Sequence, residues 1–513
     1  MWSRLKSIIK FLYHRVVLIS LAILVQLVVL ISVILKFNDY FVFFYWASLI
    51  GSIVAVFWIL NGKSNPSYKI AWIIPILLFP IFGGLFYIFF GGKKLSRGER
   101  RKLKSIGIKV ENSLVPQPTV LSEIMLHDDG AAVQSRYIQN VAHYPPHKNS
   151  TAEYLSIGEK KFEKLKEELK KAEHFIFMEY FIIEEGTMWN SILEILVEKA
   201  KKGVDVRLIY DDMGCLLLLP RNYSKKLEST GIKCCVFNPV SPILSARINN
   251  RDHRKITIID GHTAFTGGIN LADEYINEVK KHGYWKDTAI MIKGEAVWNM
   301  TVMFLSMWDY LRGIDEDFDK FRYKFKEEKF CDGYFQPFTD SPYDEETVGE
   351  TVYLNLLNKA RRYVYITTPY LVIDYKMMQA LASAAKSGID VRIITPHIED
   401  KWYVHAVTRS NYRFLVESGV KIYEYTPGFI HSKTFVSDDE YAVVGTINMD
   451  YRSFYLHFEC GVWTYKSKTV FDIKEDFLST LEVCTEITMD TIKKTKWHKN
   501  VLGTILRIFA PLM

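Results

Sequence analysis

Two short strings in this chain repeat the same reactive side chains. His253, Lys255 and Asp260 are matched 178 residues later by His431, Lys433 and Asp438. Six residues separate each Asp from a pair of small residues, followed by Ile and then Asn, in Gly267-Gly268-Ile269-Asn270 and Gly445-Thr446-Ile447-Asn448. On a strand, positions i and i+2 share a face, so each His and its Lys project together. Two such faces turned toward each other would bring two imidazoles and two ammonium groups to one pocket. That set suits a phosphodiester. Lys255, Lys433, Asn270 and Asn448 would hold the non-bridging oxygens, one neutral His would attack phosphorus, and the other would protonate the leaving oxygen. No metal or other cofactor is required by this chemistry. Asp260 and Asp438 are expected to hydrogen-bond a His and fix its tautomer. Gly267, Gly268 and Gly445 are expected to let the backbone approach the phosphate.

Either string alone reads equally well as a buried strand His beside a solvated Lys; two copies at equivalent places make a shared site the stronger reading. Other residues invite weaker assignments. His174 and His262 lie outside the repeat and read as structural. Asp211-Asp212 resembles a metal pair only superficially, since no third ligand is near in sequence. Glu459, in Leu456-His457-Phe458-Glu459, reads first as surface or core polarity and second as support for the second motif.

The elements that must carry these motifs are themselves duplicated. Ala172–Phe177 resembles Ala360–Tyr365 at a strand start, Lys202–Arg207 resembles Ser387–Arg392 at a helix-to-strand junction, and Gly231–Pro239 aligns with Gly419–Pro427 at an offset of 188 residues. Helical periodicity at Phe162, Leu165, Leu169 and Ala172 precedes a buried strand run from His174 to Ile183. A repeat of this length, with helices and strands alternating, predicts two similar α/β halves. The expected boundaries are a first catalytic half over 121–330 and a second over 331–513.

Composition separates a different region at the front. Residues 1–105 hold 14 Lys/Arg against 2 Asp/Glu, whereas the remainder holds 51 against 56, so the whole-chain balance of +7 hides a body at −5. Surfaces that track nucleic acid are normally basic, which argues against a nucleic-acid partner. The hydrophobic content of 49% excludes a disordered chain. The six Cys have neither zinc spacing nor a disulfide pattern, and the vicinal Cys234-Cys235 pair reads as buried strand. Val16–Leu35, Tyr40–Leu60 and Ile70–Phe90 are uncharged stretches of 20, 21 and 21 residues, each long enough to cross a bilayer core of ~30 Å. A membrane region over 1–92, with two to three hydrophobic segments, is therefore expected, followed by a basic linker over 93–120. Basic residues flank the apolar block on both sides, which the positive-inside rule reads as a cytoplasmic catalytic region. Pro75, Pro80 and Gly83-Gly84 suit a kinked or re-entrant third segment.

Read together, the strings His253–Asn270, Asn448–Phe454 and Arg507–Met513, with Ala71-Trp72, Pro80, Gly83-Gly84, Tyr87 and Gly91, resemble the bacterial cardiolipin synthases of the phospholipase D superfamily, from about residue 40 to the end. The first apolar stretch departs from the two-span pattern of that family. The resemblance implies an α/β fold in which two phospholipase D-like halves form one active site behind a helical, multi-pass bacterial cell-membrane region. It implies transfer of a phosphatidyl group between two phosphatidylglycerol molecules through a phosphohistidine, and it favours His253 over the near-equivalent His431 as nucleophile. Water in place of the lipid alcohol would make the enzyme a phospholipase. A membrane-tethered nuclease and an inactive scaffold are the other readings, opposed respectively by the acidic body and by the two intact motifs. No oligomeric state follows from the sequence.

Overall fold

A computed structural model of the chain describes residues 41–79, 96–240, 246–325, 332–344 and 346–513, with single positions between 21 and 36 and residues 87 and 91. Runs of β-branched and aromatic residues such as Phe175–Tyr180, Tyr363–Thr367 and His457–Tyr465 are buried at every position and form central strands, because a strand covered on both faces has no need of polar alternation. They assemble into two mixed sheets with the same plan.

In the first sheet the strand order is Ser150–Leu155, Ala289–Gly294, Thr263–Gly267, Lys255–Ile259, Phe175–Tyr180, Asp205–Asp211 and Lys233–Phe237. The second runs Tyr334–Asp340, His457–Tyr465, Tyr441–Gly445, Thr434–Ser437, Tyr363–Thr367, Asp390–Pro396, Lys421–Tyr425 and Cys484–Ile487. In both, a parallel trio follows an antiparallel set. The vicinal Cys234 and Cys235 are buried in the last strand of the first sheet, as expected. The matched strings hold equivalent places: Asp205 pairs with Arg207 and Asp390 with Arg392, each at 2.7 Å.

The halves are tied by a reciprocal exchange of strands. Arg251–Asp252 of the first half pairs in parallel with the start of His457–Tyr465, with Arg251 opposite His457 and Asp252 opposite Phe458. Gly428–Ile430 of the second half pairs in parallel with Tyr284–Lys286 of the first, ending with Ile430 opposite Lys286. Each exchanged strand stops one residue before a motif His.

The basic segment expected as a linker is helical over Arg97–Ser113, started by a capping box in which Ser96 and Glu99 satisfy each other's backbone N–H. It lies against the helix Val297–Arg312, where Lys109 reaches Asp309 at 2.6 Å. In front of it, helices Phe41–Asn61 and Pro66–Leu78 pack on each other and coincide with the second expected stretch and the start of the third. Asn65, between them, donates to Asp374 at 2.9 Å and Tyr455 at 2.8 Å, anchoring the pair to the second half. Among the described residues no helix is long and apolar enough to cross a membrane. Most of the first expected stretch, and Pro80, Gly83 and Gly84 of the third, lie outside the described residues, as do Lys93, Lys94 and Cys331.

Candidate active site

The strand exchange determines what stands behind each imidazole. Continuing the register by one residue puts His253 opposite Glu459 and His431 opposite Asp287. The His253 N–H donates to the Phe458 carbonyl at 2.9 Å and the His431 N–H to the Lys286 carbonyl at 2.7 Å. The His253 Nδ1 lies 2.9 and 3.1 Å from the two Glu459 carboxylate oxygens, and the His431 Nδ1 lies 2.6 Å from Asp287 Oδ2. Each His is thus oriented by a carboxylate from the opposite half, both carboxylates being fully buried. A buried carboxylate accepting from Nδ1 holds the proton there and turns Nε2 toward the pocket as a lone pair.

This corrects the expectation for the motif aspartates. Asp260 accepts hydrogen bonds from the backbone N–H groups of Glu173, His174 and Phe175 at 2.7–2.8 Å. Asp438 takes those of Arg361, Arg362 and Tyr363 at 2.7–3.0 Å. Each sits at the far end of its hairpin in a left-handed turn, with φ of 51° and 58°, a conformation Asp tolerates better than most side-chain-bearing residues. In place of the expected hydrogen bond from a His N–H, each Asp accepts three from backbone N–H groups, which pin the motif hairpin to its neighbouring strand. The i, i+2 argument also needs amending, since the strand begins at Lys255 in the first motif and at Thr434 in the second. Each Lys instead folds back on its own His: Lys255 Nζ donates to the His253 carbonyl at 2.6 Å and Lys433 Nζ to the His431 carbonyl at 2.5 Å. Lys433 Nζ also lies 2.9 Å from His431 Nε2.

The glycines do other work than expected. A Cβ on Gly268 would lie 2.1 Å from Asp287 Oδ1, so this Gly makes room for the carboxylate. At the matching place in the second half, Thr446 Oγ1 donates to Glu459 Oε2 at 2.5 Å and accepts from the Cys460 N–H at 3.0 Å. Gly267, at φ 148°, and Gly445 admit the backbones of Thr288 and Cys460 respectively.

His253, His431, Asn270 and Asn448 all line a pocket of about 480 Å³. The two asparagines are not equivalent. Asn270 is held at both ends, its Oδ1 accepting from the Ile182 N–H at 3.0 Å and its Nδ2 donating to Tyr275 Oη at 2.7 Å. The Oδ1 of Asn448 is buried with no hydrogen-bond partner. One wall is apolar and includes Val372, Val404, Ala510 and Met513.

Burial and crowded cations shape the titration of the site. Burial, followed by the charges of Lys255 and Lys433, holds His253 well below the usual imidazole range. Burial and Lys433 push His431 down to about 4 against the opposing pull of Asp287. Burial brings Lys255 down to about 8 and Lys433 down to about 7. Both imidazoles are neutral near pH 7, one proton short of a nucleophile and acid pair. Binding a phosphate anion between the cations would raise all four groups and supply the charge that favours a proton on one His.

His457, passed over in the sequence, also lines this pocket, its ring 5.4 Å from that of His253. Its Nε2 accepts from Arg452 Nε at 3.2 Å, which puts its proton on Nδ1, 3.7 Å from Glu459 Oε1. His253, His457 and Glu459 bring ligand atoms within 4.8 Å of one another, the spacing of a metal site. Their donor set fits a cation poorly, because the His457 Nδ1 carries a proton, Glu459 is committed to His253 and Thr446, and Lys255 adds positive charge nearby. Asp211 proves structural: it accepts from the Met213 and Asp252 N–H groups at 2.8 and 3.0 Å, holding the segment that leads into His253. His262 hydrogen-bonds its neighbour Thr263 at 2.8 Å, while His174 is exposed.

Asp287 carried no sequence signal. It lies 17 residues beyond Asn270, whereas Glu459 lies 11 beyond Asn448, so the two carboxylates differ in both type and spacing and a repeat comparison cannot pair them.

Two copies of one site motif, related by internal duplication and completed across their interface, define a phospholipase D-like catalytic fold. A family model described as the PLD-like domain of cardiolipin synthase matches residues 165–308 and 353–481, and one described as a phospholipase D-nuclease N-terminal region matches 50–92. An uncharacterized protein of Streptococcus mutans is 45% identical over 91% of this chain and 100% of its own. Cardiolipin synthase of Halalkalibacterium halodurans is 33% identical over 88% of this chain and 90% of its own, and that of Geobacillus kaustophilus 34% identical over 88% and 89%. Phosphatidylserine synthase of Haemophilus influenzae shares the fold, with a TM-score of 0.56 and 16% identity over 74% of this chain and 97% of its own. The chain belongs to the cardiolipin synthase family of the phospholipase D superfamily.

Proposed function

We propose that this enzyme transfers a phosphatidyl group from one phosphatidylglycerol to another at a bacterial cell membrane, giving cardiolipin and glycerol. The observation that carries the reading is a pair of imidazoles lining one pocket, each oriented through Nδ1 by a carboxylate of the opposite half and each with a motif lysine folded onto its backbone carbonyl.

His253 Nε2 attacks the phosphorus of the first lipid. The bond from phosphorus to the headgroup glycerol breaks, and His431 gives that oxygen its proton, so free glycerol leaves and the phosphatidyl group remains on His253. A hydroxyl of a second phosphatidylglycerol then attacks phosphorus, passing its proton to His431, and the P–N bond to His253 breaks. Cardiolipin leaves with both histidines restored. Lys255, Lys433 and the Asn448 side chain balance the charge on the non-bridging oxygens; Asn270 acts there when Tyr275 releases its amide. Glu459 stabilises the positive charge that grows on His253 as the adduct forms. Asp260 and Asp438 contribute by fixing the hairpins that carry the motifs.

The test is reconstitution of the purified protein in phosphatidylglycerol vesicles, followed by lipid extraction. Cardiolipin and glycerol in equal amounts are expected. Phosphatidic acid with glycerol would instead make the enzyme a hydrolase, and no new lipid would refute both readings. In the His431→Ala variant, a phosphodiester with a good leaving group needs no acid, so a covalent adduct should accumulate on His253. An adduct on His431 in His253→Ala, with none on His253 in the reciprocal variant, would reverse the assignment.

A further inference from the structure

The C-terminal helix Trp497–Phe509 has two apolar faces where a surface helix ordinarily has one. The inner face is seated on the helix Trp402–Glu417: a Cβ on Gly503 would stand 3.1 Å from the Ala406 carbonyl oxygen and 3.2 Å from the Ser410 Cβ. On the opposite face Trp497, Val501, Ile505 and Ile508 recur at i, i+4, i+8 and i+11, and they are 76%, 47%, 50% and 39% exposed. The chain from Thr491 to Met513 holds five basic residues and no acidic one; Lys493, Lys494, Lys496, Lys499 and Arg507 are all exposed.

This face continues two features already described. The helix touches Pro66–Leu78 in the N-terminal apolar region, and Leu512 just beyond it packs beside Ile59, Trp72 and Ile76. The same tail supplies Ala510 and Met513 to the apolar wall of the catalytic pocket.

We infer that the outer face of Trp497–Phe509 lies in the plane of an anionic lipid surface and brings the apolar wall of the pocket to that surface. An apolar stripe headed by Trp and accompanied by Lys is the pattern of an interfacial helix, and its unbalanced positive charge complements anionic headgroups. A second copy of the chain would fit poorly, because a twofold contact through this face would set each cationic helix against its own like-charged copy. The inference rests on the phospholipid reading of the site, and its test separates the two.

The full chain carrying Ile505→Cys is labelled with bimane and reconstituted in mixed phosphatidylglycerol and phosphatidylcholine bilayers, with labelled unsubstituted protein as background. Doxyl-labelled lipid should lower the emission by about twofold or more, while aqueous iodide has little effect. Strong iodide quenching without lipid quenching would overturn the inference, as would energy transfer between differently labelled copies replacing lipid quenching. The Val501→Glu/Ile505→Glu variant provides the second measurement. Its turnover of phosphatidylglycerol in vesicles should fall roughly tenfold or more, while turnover of monomeric dihexanoyl-phosphatidylglycerol stays within about twofold. Unchanged vesicle turnover would overturn the inference. Should the unsubstituted enzyme act on neither lipid, the proposed reaction fails, and the quenching result still decides the position of the helix.

Discussion

Glu459→Gln isolates what the opposite half contributes to His253, the proposed nucleophile. The substitution keeps the shape of a fully buried side chain and removes only its charge. Thr446 determines how the new amide sits. Its Oγ1 accepts from the Cys460 N–H and donates to the oxygen at the Oε2 position. With the Gln carbonyl in that position the NH2 falls at the Oε1 position, 2.9 Å from the His253 Nδ1, and the only acceptor left to Nδ1 is the more distant carbonyl at 3.1 Å. The nearer neighbour of Nδ1 is then a donor, which favours moving the imidazole proton to Nε2, the atom proposed to attack. Loss of the charged acceptor alone is worth about 1.5–3 kcal/mol, or roughly 10- to 150-fold in rate at ~1.4 kcal/mol per decade. With the tautomer reversed as well, the loss extends toward ~10⁴-fold. The assay is the pre-steady-state burst of a chromogenic phosphodiester, which reports adduct formation on His253, with near-UV circular dichroism to verify the fold. A folded Glu459→Gln enzyme whose burst stays within about threefold of the parent would refute the role given to Glu459.

The counterpart Asp287→Asn acts on the acid. It should slow turnover of natural lipid by about 10²-fold or more while sparing the burst with a good leaving group, and equal losses for both substrates would contradict the division of roles. Asp260→Asn and Asp438→Asn remove a charge that three backbone N–H groups share, so each should lower stability by about 2–4 kcal/mol in denaturant titration while kcat of the folded enzyme changes little; a large fall in kcat with unchanged stability would return these residues to direct catalysis. Lys433, pushed down to about 7, and Lys255, down to about 8, lose their charge as pH rises. Affinity for an anionic phosphodiester therefore weakens above neutrality, and kcat/KM should fall between about pH 7 and 9; a profile flat across that window would show that the lysines keep their charge in the free enzyme. Activity should survive EDTA, since Lys255 and Lys433 occupy the electrostatic place that a metal fills elsewhere; complete loss restored by a divalent ion would overturn the metal-free scheme.

Much of the fold was legible because its signals are local or repeated. Matching strings such as Lys202–Arg207 and Ser387–Arg392 mark the same junction in each half, and both sheets carry their parallel trio where those strings predict it. Basic composition hides the helix within the linker segment, whose start depends on the Ser96 and Glu99 capping pair. Within the site, the motif aspartates were legible as part of the repeat but not in role: a repeated spacing reports that Asp260 and His253 share a hairpin, not that their side chains meet.

By itself the sequence determined that His253 travels with Lys255 and His431 with Lys433, because each pair is two residues apart along one chain and must arrive together wherever the hairpin goes. Only the tertiary structure decided what each imidazole leans on. Glu459 is 206 residues from His253 and Asp287 is 144 residues from His431, and their meeting depends on two parallel strand pairings that cross between the halves. Such a contact is a matter of register between separately folded segments: a one-residue slip in either pairing would turn the carboxylate to the other face of its strand and leave the His without its acceptor.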